Sequence, residues 1–440
     1  MNYEIQRATN GPQHHLFGFH DLISFNQSGE KLLSLEADVI NRPPLAGELF
    51  GVGYSLWEEQ RFVRLGETTA MNYPQGARQQ WLSNQEFIVN NKVGDHWGAD
   101  IYDVELGKKV LSVDQPAHCV TFDGKWAFSF NYARVFRLGG YGYNGIEDAT
   151  QNEPAPNNDG IIKTDLKSNH SELLISIADV IKVDPSTSSD NSSHHYVTHL
   201  CLSPDNQRLA FLHRFFLPDG GIRTRLMTIG VNGDNCRCLA SGFLSHFDWK
   251  DNHHIFIWGK VSGGVDAIRT NPLLSNKYVQ PVLGTVKNIV RRLYGKQLNN
   301  KHFLLISDDD HKTITPFAVG IIGEDGHPMC CPTDRNIIIC DTYPNRITKN
   351  RTLFFYNAID NTRTDIGDFY MGGESVDCSL EEEYLKDIDP KIRRMVSSEL
   401  LSFTRSGLHC DLHPRWDANG KMVAFDSIHE GTRQIYVVKR

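Results

Sequence analysis

The 440-residue sequence lacks a surplus of basic residues and lacks long apolar runs. Lys and Arg total 45 against 53 Asp and Glu, so the net charge is −8. This balance excludes the basic surface typical of nucleic-acid-binding proteins. No window supplies the roughly 20 apolar residues of a transmembrane helix, so no membrane partner is expected. The segment from Met1 to Arg7 has an acidic residue and no apolar core, unlike a signal peptide.

The sequence also lacks paired cysteines and the common catalytic motifs. Its nine Cys include no CxxC pair, which predicts buried reduced thiols and a cytoplasmic location. No GxSxG motif is present, which argues against a serine hydrolase. The Gly- and Tyr-rich segment 139–145 lacks the strand–helix context of a dinucleotide site, and no phosphate-binding loop occurs, so no nucleotide cofactor is expected.

Histidine, in contrast, is abundant, with 19 residues. Several histidines open a recurring pattern of a short apolar stretch, a turn with Asp, Asn or Gly, and a second apolar stretch. A seventh copy, residues 77–89, has no histidine, and the first copy has two extra residues. The copies with a histidine start at His20, His118, His199, His246, His327 and His413.

Each copy predicts a β-hairpin, because its apolar runs are joined by turn residues. Two further strands follow most copies, which makes four strands per repeat. Seven such repeats of about 40 to 65 residues are typical of a β-propeller. The sequence therefore predicts an all-β fold, a single seven-bladed β-propeller over residues 1–440. A strand from Tyr3 to Arg7 is expected to complete the last blade and close the ring.

Two segments interrupt the blade pattern. Residues 139–159 are rich in Gly, Asn and Pro and predict a long loop. Residues 376–403 predict one or two helices inserted before the final blade. Long insertions in a compact domain are more often functional than idle.

The repeated histidines predict a shared site. In a propeller the innermost strands line the central channel, so residues at the head of those strands form one ring. The six histidines are then expected to converge on the channel mouth, where neutral imidazoles suit a metal or an anionic ligand. The alternative is that each histidine only supports a turn within its own blade.

The loops between the second and third strands of each repeat are expected to open on the same face. These loops contain many Arg, Tyr and His, although the protein as a whole is acidic. Positive charge gathered at one mouth favours an anionic ligand, whereas a merely solvated rim is the alternative interpretation. These loop residues are Glu36, Asp38, Arg42, Asn91, Asp95, His96, Asn131, Tyr132, Arg134, Arg137, Tyr141, Tyr143, His213, Arg214, Arg223, Lys260, Asp341, Tyr343, Arg346, Asp426, His429 and Arg433.

These residue types suit β-elimination at a uronic acid. Arg holds a carboxylate with a planar fork, and Tyr and His transfer protons near neutral pH. Hydrolysis would need a pair of carboxylates, and the loop residues named above include few acidic residues in pairs. A non-catalytic propeller that binds a glycan or acts as a scaffold is the alternative, since fold alone does not determine function.

The last repeat carries the densest metal-like cluster. Alternate residues of an extended strand point the same way, so His409, Asp411 and His413 are expected to share a face. A divalent Mn, Zn or Ca ion there would be completed by His246 or His327 from a neighbouring blade.

Four short segments resemble a known family: 14–21 (HHLFGFHD), 131–143 with its Asn-Tyr-Ala-Arg and Gly-Tyr-Gly-Tyr elements, 211–214 (FLHR) and 413–416 (HPRW). They look like the seven-bladed polysaccharide lyases of the oligogalacturonate-lyase and ulvan-lyase type. The resemblance implies lyase action on uronate-containing saccharides, an Arg that neutralises the carboxylate, a His or Tyr base, and a metal held by His. The missing histidine of the second repeat and the helical insertion depart from that pattern.

Carried onto this chain, the resemblance implies that Arg214 is the neutraliser, that His246 is the base, and that His409 and His413 hold the metal. The candidate catalytic residues are His246, Arg214, Tyr132 and His199. The candidate substrate-binding residues are Arg134, Tyr141, Tyr143, His118, His96 and His20. The candidate metal ligands are His409, His413, His327 and Asp411. The expected partner is an anionic oligosaccharide or polysaccharide, and the oligomeric state stays open, with a homodimer as one option.

Overall fold

The computed structural model describes residues 3–187, 193–217, 221–262, 301–372 and 375–440. Antiparallel β-sheets are the main regular structure of these residues and the helices are few and short, which confirms the all-β prediction. Among the described helices, none is both long and apolar enough to cross a membrane. All nine cysteines are free thiols, and six of them are buried.

The first strand, β1 (Ile5–Arg7), does not join the sheet that follows it. Three four-stranded sheets come next, each in sequence order. The first consists of β2 (His14–Leu16), β3 (Lys31–Ala37), β4 (Phe50–Leu56) and β5 (Arg61–Thr68). The second consists of β6 (Gln80–Trp81), β7 (Glu86–Val93), β8 (His96–Asp103) and β9 (Lys108–Val113). The third consists of β10 (Cys119–Val120), β11 (Trp126–Ser129), β12 (Gly160–Asp165) and β13 (His170–Ser176), with helix α1 (Tyr132–Arg137) between β11 and β12 and helix α2 (Ile177–Lys182) after β13.

A seven-stranded sheet follows. It consists of β14 (His195–Leu202), β15 (Arg208–Phe216), β16 (Ile222–Gly230), β17 (Arg237–Trp249), β18 (His254–Val261), β19 (His302–Ser307) and β20 (Ile314–Phe317). Its 13-residue strand β17 pairs with β16 up to Gly242 and with β18 as far as Trp249. One strand therefore serves as the last strand of one four-stranded unit and the first strand of the next.

The chain ends with two more four-stranded sheets. The first consists of β21 (Met329–Cys330), β22 (Ile337–Asp341), β23 (Asn350–Asn357) and β24 (Thr362–Tyr370). Helices α3 (Glu381–Leu385), α4 (Pro390–Met395) and α5 (Ser398–Arg405) come next, within and just beyond the segment in which helices were predicted. The last sheet consists of β25 (Arg415–Trp416), β26 (Met422–Ser427), β27 (Gln434–Lys439) and β1, which pairs with β27 as the sequence predicts.

Strand burial explains the continuous apolar runs of the repeats. In β26, Val423, Ala424 and Phe425 are all fully buried, although they alternate between the two faces of the sheet. Both faces are therefore covered, as expected of a strand that reads as an unbroken apolar run. The helical insertion has local signals of its own: the side chain of Asp389 accepts a hydrogen bond from the backbone N–H of Lys391, and Pro390 opens α4.

The prediction that the histidines head the innermost strands is confirmed for three of the six. His118 directly precedes β10, and His327 and His413 lie two residues before β21 and β25. The other three, His20, His199 and His246, lie elsewhere, so the prediction was wrong for them.

In the seven-stranded sheet the first strand begins at His195, and His199 lies in a register break between Thr198 and Cys201 with φ of 56°. His20 lies between β2 and an isolated bridge from Phe25 to Leu32. Breaks of this kind re-aim a side chain, and here they turn imidazoles out of the ladder.

The segment from His409 to His413 is likewise not a strand, because β25 begins only at Arg415. The shared face expected from strand alternation is therefore absent. The polypeptide instead turns at His413, whose φ is 43°. The loop predicted between the second and third strands of the third sheet also begins with a helix, α1, before the irregular segment 139–159.

Candidate functional site

Five imidazoles surround the ring of Phe19, which is 4% exposed. The centroid distances from Phe19 to these rings lie between 4.4 and 6.4 Å. We call this group the histidine cluster: His20, His199, His246, His327 and His413. The structure thus brings together five of the six repeated histidines, supplied by sheets that lie far apart in the sequence.

Arg78 replaces the histidine that the second repeat lacks. It lies two residues before β6, as His413 lies two residues before β25, and its φ of 53° is similar to that of His199. Its guanidinium is fully buried, binds Asp21 through two contacts of 2.7 and 3.0 Å, and donates to the carbonyl of His118. The second sheet therefore contributes a buried ion pair instead of an imidazole.

Three side chains of the site could hold a metal ion, and we call them the metal-like group: His327, Asp411 and His413. Each offers one ligand atom, and these atoms lie within 4.8 Å of one another. The Asp411 Oδ2 atom is 3.8 Å from His327 Nε2 and 3.7 Å from His413 Nε2. All three side chains are buried.

Hydrogen bonds at the other ring nitrogens orient the two histidines. Asp341 accepts a hydrogen bond from His327 Nδ1 at 2.8 Å, and the Gly18 carbonyl accepts one from His413 Nδ1 at 2.9 Å. Each Nε2 therefore keeps its lone pair and faces Asp411. Such partners fix the tautomer of metal-binding histidines in many proteins. Asp341 also accepts from the backbone N–H groups of Leu412 and His413, which ties the two elements together.

The charge state of these groups suits a divalent cation. Burial alone would raise the pKa of Asp411, but the Arg351 guanidinium, 2.5 Å away, and the nearby His409 and His327 hold it well below its usual range. Burial and the neighbouring His327 lower the pKa of His413 well below its usual value. Burial alone would lower the pKa of His327, but Asp341 and Asp411 raise it, so a cation would have to displace the proton of this imidazole. An ionised carboxylate and neutral imidazoles are the forms that bind metals, and metal binding releases such protons. The donor set fits Mn or Zn better than Ca, which prefers oxygen ligands.

Two other imidazoles border this group. His409 Nδ1 is 3.6 Å from Asp411 Oδ2 and has no hydrogen-bond partner among the described residues. His20 is 1% exposed, and neither of its ring nitrogens makes a hydrogen bond of normal geometry within the described chain. Burial and the neighbouring His327 and His246 lower the pKa of His20 well below its usual value, and the Pro328 carbonyl acts weakly the other way.

His246 lies in the register break of β17 and forms a pair with Asp325. The Nδ1 atom is 3.0 Å from Asp325 Oδ1, and the ring centroid lies 4.3 Å from that of His327. Because an ionised carboxylate only accepts, Nδ1 is the donor in this contact, and in the neutral ring Nε2 is then the acceptor. This is the arrangement of a general base that is oriented by an acidic residue.

Arg214 and Tyr141 are close enough to the cluster to act on it electrostatically. Arg214, on β15, is half-buried, and its Nε atom has no hydrogen-bond partner among the described residues. Burial and the nearby Arg214 lower the pKa of His199 well below its usual value. Burial raises the pKa of Tyr141, although Arg405 and Arg214 act in the opposite direction. The phenol of Tyr141 is therefore protonated at neutral pH.

Three predicted residues form a separate buried group. Tyr132 and Tyr143 stack at 4.3 Å, and both are at most 1% exposed. The Tyr132 hydroxyl bonds His118 Nδ1 at 2.9 Å, and the Tyr143 hydroxyl accepts from Asn90. The two hydroxyls and His118 Nδ1 are committed within this group. His118 Nε2 has no hydrogen-bond partner among the described residues, and burial together with Arg78 and the nearby His199 lowers the pKa of His118 well below its usual value, so this imidazole borders the histidine cluster.

Arg134 and His96 are placed away from the cluster. The Arg134 guanidinium is buried and donates to the carbonyls of His195, Thr150, Glu153 and Pro154. It thus anchors the irregular segment 139–159 and has no group left for a ligand. His96 lies at the turn between β7 and β8, is half exposed and contacts Asp95.

Sequence reasoning missed four residues of the site: Phe19, Arg78, Asp325 and Arg351. Arg351, on β23, is fully buried and contacts both Asp411 and, at 5.4 Å, the ring of Tyr343. A usable signal existed for two of them. Phe19 immediately precedes a repeated histidine, and Asp325 precedes another by two residues.

A separate cavity of about 470 Å³ lies along the inner strands. It is lined by residues that follow the clustered histidines and Arg78 in the sequence, among them Asp21, Gln80 and Cys201. Its lining includes neither Phe19 nor any imidazole of the histidine cluster.

Comparison with known proteins gives structural neighbours only. No family model and no curated protein sequence matches the chain. An oligogalacturonate lyase from Vibrio parahaemolyticus superposes with a TM-score of 0.59 at 11% identity, over 100% of this chain and 97% of that chain. An oligogalacturonate lyase in complex with manganese superposes with a TM-score of 0.56 at 12% identity, over 100% of this chain and 96% of that chain.

The fold is a β-propeller of the oligogalacturonate-lyase type. At these identities the likeness covers architecture and does not extend to activity. It supports the oligogalacturonate-lyase part of the expected resemblance and gives no support to the ulvan-lyase part. One neighbour is a manganese complex, and this chain has a His/Asp group with suitable ligand atoms.

Proposed function

We propose that this protein is a lyase that cleaves uronate-containing oligosaccharides by β-elimination within a seven-bladed propeller. The observation that carries the proposal is the His246–Asp325 pair, whose imidazole lies against that of His327, beside the Asp411 carboxylate. A base, an ionised ligand group and cationic side chains thus meet in one buried place. The full-length superposition on oligogalacturonate lyases shows a fold that is compatible with the same reaction class.

The sheet order supports seven blades. Five sheets have four strands each, and the seven-stranded sheet divides into two four-stranded units that share β17. The pairing of β1 with β27 supports closure of the ring by the N-terminal strand.

The first requirement of the reaction is a neutralised substrate carboxylate. A divalent ion held by His327, His413 and Asp411 would supply that charge and make the adjacent C–H proton more acidic. Arg214 is the side chain of this chain that would hold the same carboxylate, since its guanidinium is half-buried and its Nε atom is unpaired within the described chain.

The second requirement is a base. His246 Nε2 takes the proton from the carbon next to the carboxylate, the electron pair forms a C=C bond, and the glycosidic C–O bond breaks. Asp325 stabilises the imidazolium that forms, because its Oδ1 atom already accepts from Nδ1. Tyr141 donates a proton to the departing oxygen, for which its raised pKa keeps it protonated.

The test is ultraviolet absorbance from the unsaturated sugar end. Purified protein is incubated with a panel of uronate oligomers and polymers, with Mn, Zn or Ca and with a chelator. We expect absorbance to rise on at least one substrate, and to be lost in His246→Ala and Arg214→Ala. Arg134→Gln is unsuitable as a control because it would disturb the anchored segment, whereas Lys421→Gln removes an exposed cation elsewhere.

No signal on any substrate with any of the three metals would refute the lyase. Undiminished ligand binding by His246→Ala and Arg214→Ala would instead favour the non-catalytic glycan-binding alternative. The proposed partner is an anionic saccharide in either case. The nine free thiols support the expected cytoplasmic location, because reducing compartments keep cysteines unpaired.

A further inference from the structure

A second cavity of about 570 Å³ adjoins the metal-like group from the side of the helical insertion. It is bounded by α5, by the loop between β22 and β23, by the loop between β3 and β4, and by the loop between β26 and β27. Its volume lies in the range of small-molecule binding sites.

The lining of this cavity is cationic. It includes Arg346, Lys349, Arg351 and His409, and it includes no Asp or Glu. Arg346 and Lys349 are exposed, and their side chains make no ion pair within the described part of the chain. On a protein with a net charge of −8, two unpaired cations beside a cavity without carboxylates favour an anionic occupant.

One wall of the cavity is apolar. Helix α5 contributes Leu400, which is 50% exposed, and Phe403, which is 36% exposed. Ile40 and Ile428 from two of the loops complete this wall. Saccharides present apolar C–H faces as well as charged groups, and aromatic side chains combine large contact area with low entropy cost. The wall and the cations together suit an acidic sugar better than an inorganic anion.

Two residues connect the cavity to the metal-like group. Arg351 and His409 both line the cavity, and both contact Asp411, at 2.5 and 3.6 Å respectively. Phe403 also packs edge-on against the His409 ring, with a centroid distance of 5.5 Å. A ligand in this cavity would therefore lie next to two side chains that contact Asp411.

We infer that the cavity is a second acidic-sugar subsite, built in part by the helical insertion, that binds a carboxylate-bearing unit of the oligosaccharide whose reacting unit lies at the histidine cluster. Arg346 and Lys349 hold the carboxylate of this second unit, and Leu400 and Phe403 pack against its C–H face. The inference rests on the proposed function for the identity of the ligand. Its consequence is a dependence of affinity on chain length.

The experiment measures binding directly, by calorimetry, with di-, tri- and tetragalacturonate as probes. The test variant is Arg346→Gln/Lys349→Gln, which keeps the length of both side chains and alters only exposed loop positions. The matched control is Lys167→Gln/Lys421→Gln, which removes two exposed cations outside the cavity. Methyl-esterified trigalacturonate, which has no free carboxylates, is the matched neutral probe, and Arg346→Lys retains the charge.

We expect the affinity of the unmodified protein to increase with chain length, and we expect this increase to be roughly tenfold smaller in the test variant. The control pair and Arg346→Lys should keep most of the increase. Methyl-esterified trigalacturonate should bind without the increase. Equal affinities of the unmodified protein and the test variant for every oligomer, or no binding of any oligomer, would overturn the subsite. If the test variant loses the chain-length dependence and no ultraviolet absorbance appears, the subsite is supported and the lyase is refuted. If absorbance appears and the test variant binds like the unmodified protein, the lyase is supported and the subsite is refuted.

Discussion

Acid should destabilise this protein well above the pH at which carboxylates titrate. Five histidines are at most 8% exposed, and burial lowers the pKa of each well below the ordinary value of 6.5: His20, His118, His199, His213 and His413. In the unfolded chain the same imidazoles take up protons near pH 6.5. A group whose pKa is lowered by folding contributes stability that is complete above its unfolded pKa and is lost as the pH falls below it.

The size of the effect follows from proton uptake. Between about pH 7 and pH 5.5, each buried neutral imidazole lowers the free energy of unfolding by about 1 kcal/mol. His327 acts in the opposite direction: burial alone would lower its pKa, but Asp341 and Asp411 raise it. Five imidazoles less this one contribution give a net loss of about 4 kcal/mol, a large part of the 5 to 15 kcal/mol of a typical domain.

The assay is urea unfolding followed by tryptophan fluorescence at several pH values, with a chelator present throughout. The variant His118→Asn should reduce the pH slope, because one of the five groups no longer titrates. Phe130→Leu is the matched control: Phe130 packs on the His118 ring at 4.8 Å, so its truncation should lower stability at every pH without changing the slope. A free energy of unfolding that stays flat between pH 7 and pH 5.5 would refute the reasoning, since the imidazoles would then be protonated within the fold.

Three further outcomes are expected. Arg78→Met should lower the free energy of unfolding by about 3 to 5 kcal/mol in urea titrations, because it leaves the Asp21 carboxylate without its buried partner; a loss below 1 kcal/mol would contradict this. Asp325→Asn should reduce kcat roughly 100-fold with little change in KM, because the amide no longer stabilises the His246 imidazolium; an unchanged pH–rate profile would argue against the pair. Asp341→Asn should weaken Mn binding about 10- to 100-fold by calorimetry, with the fold intact by circular dichroism, and unchanged affinity would show that this carboxylate does not orient the ligand histidines.

The repeats made the strands predictable because burial on both faces leaves a local signature. The copy that starts at His413 was expected to be a hairpin, and β25 and β26 form it. The fourth strand of the last sheet was also predictable. The last repeat has only three strands of its own, and β1 pairs with β27 as the fourth. Local composition was sufficient for the helical insertion, where Asp389 and Pro390 begin α4.

The site was less predictable, because side-chain direction depends on the backbone at single residues. His199 and His413 have positive φ, and no spacing rule indicates which histidine will adopt it. The same limit applies to Tyr132 and Arg134, which were placed on a loop at the channel mouth. They lie instead on α1, whose side chains hold the core and the irregular segment. A residue type suited to a reaction is therefore weak evidence until its hydrogen bonds are known.

The position of Phe19 has a consequence for the space inside the histidine cluster. Its ring fills the middle of the cluster, and the lining of the cavity along the inner strands includes neither Phe19 nor a clustered imidazole. A molecule that approached the imidazoles from that cavity would therefore have to displace the Phe19 ring first.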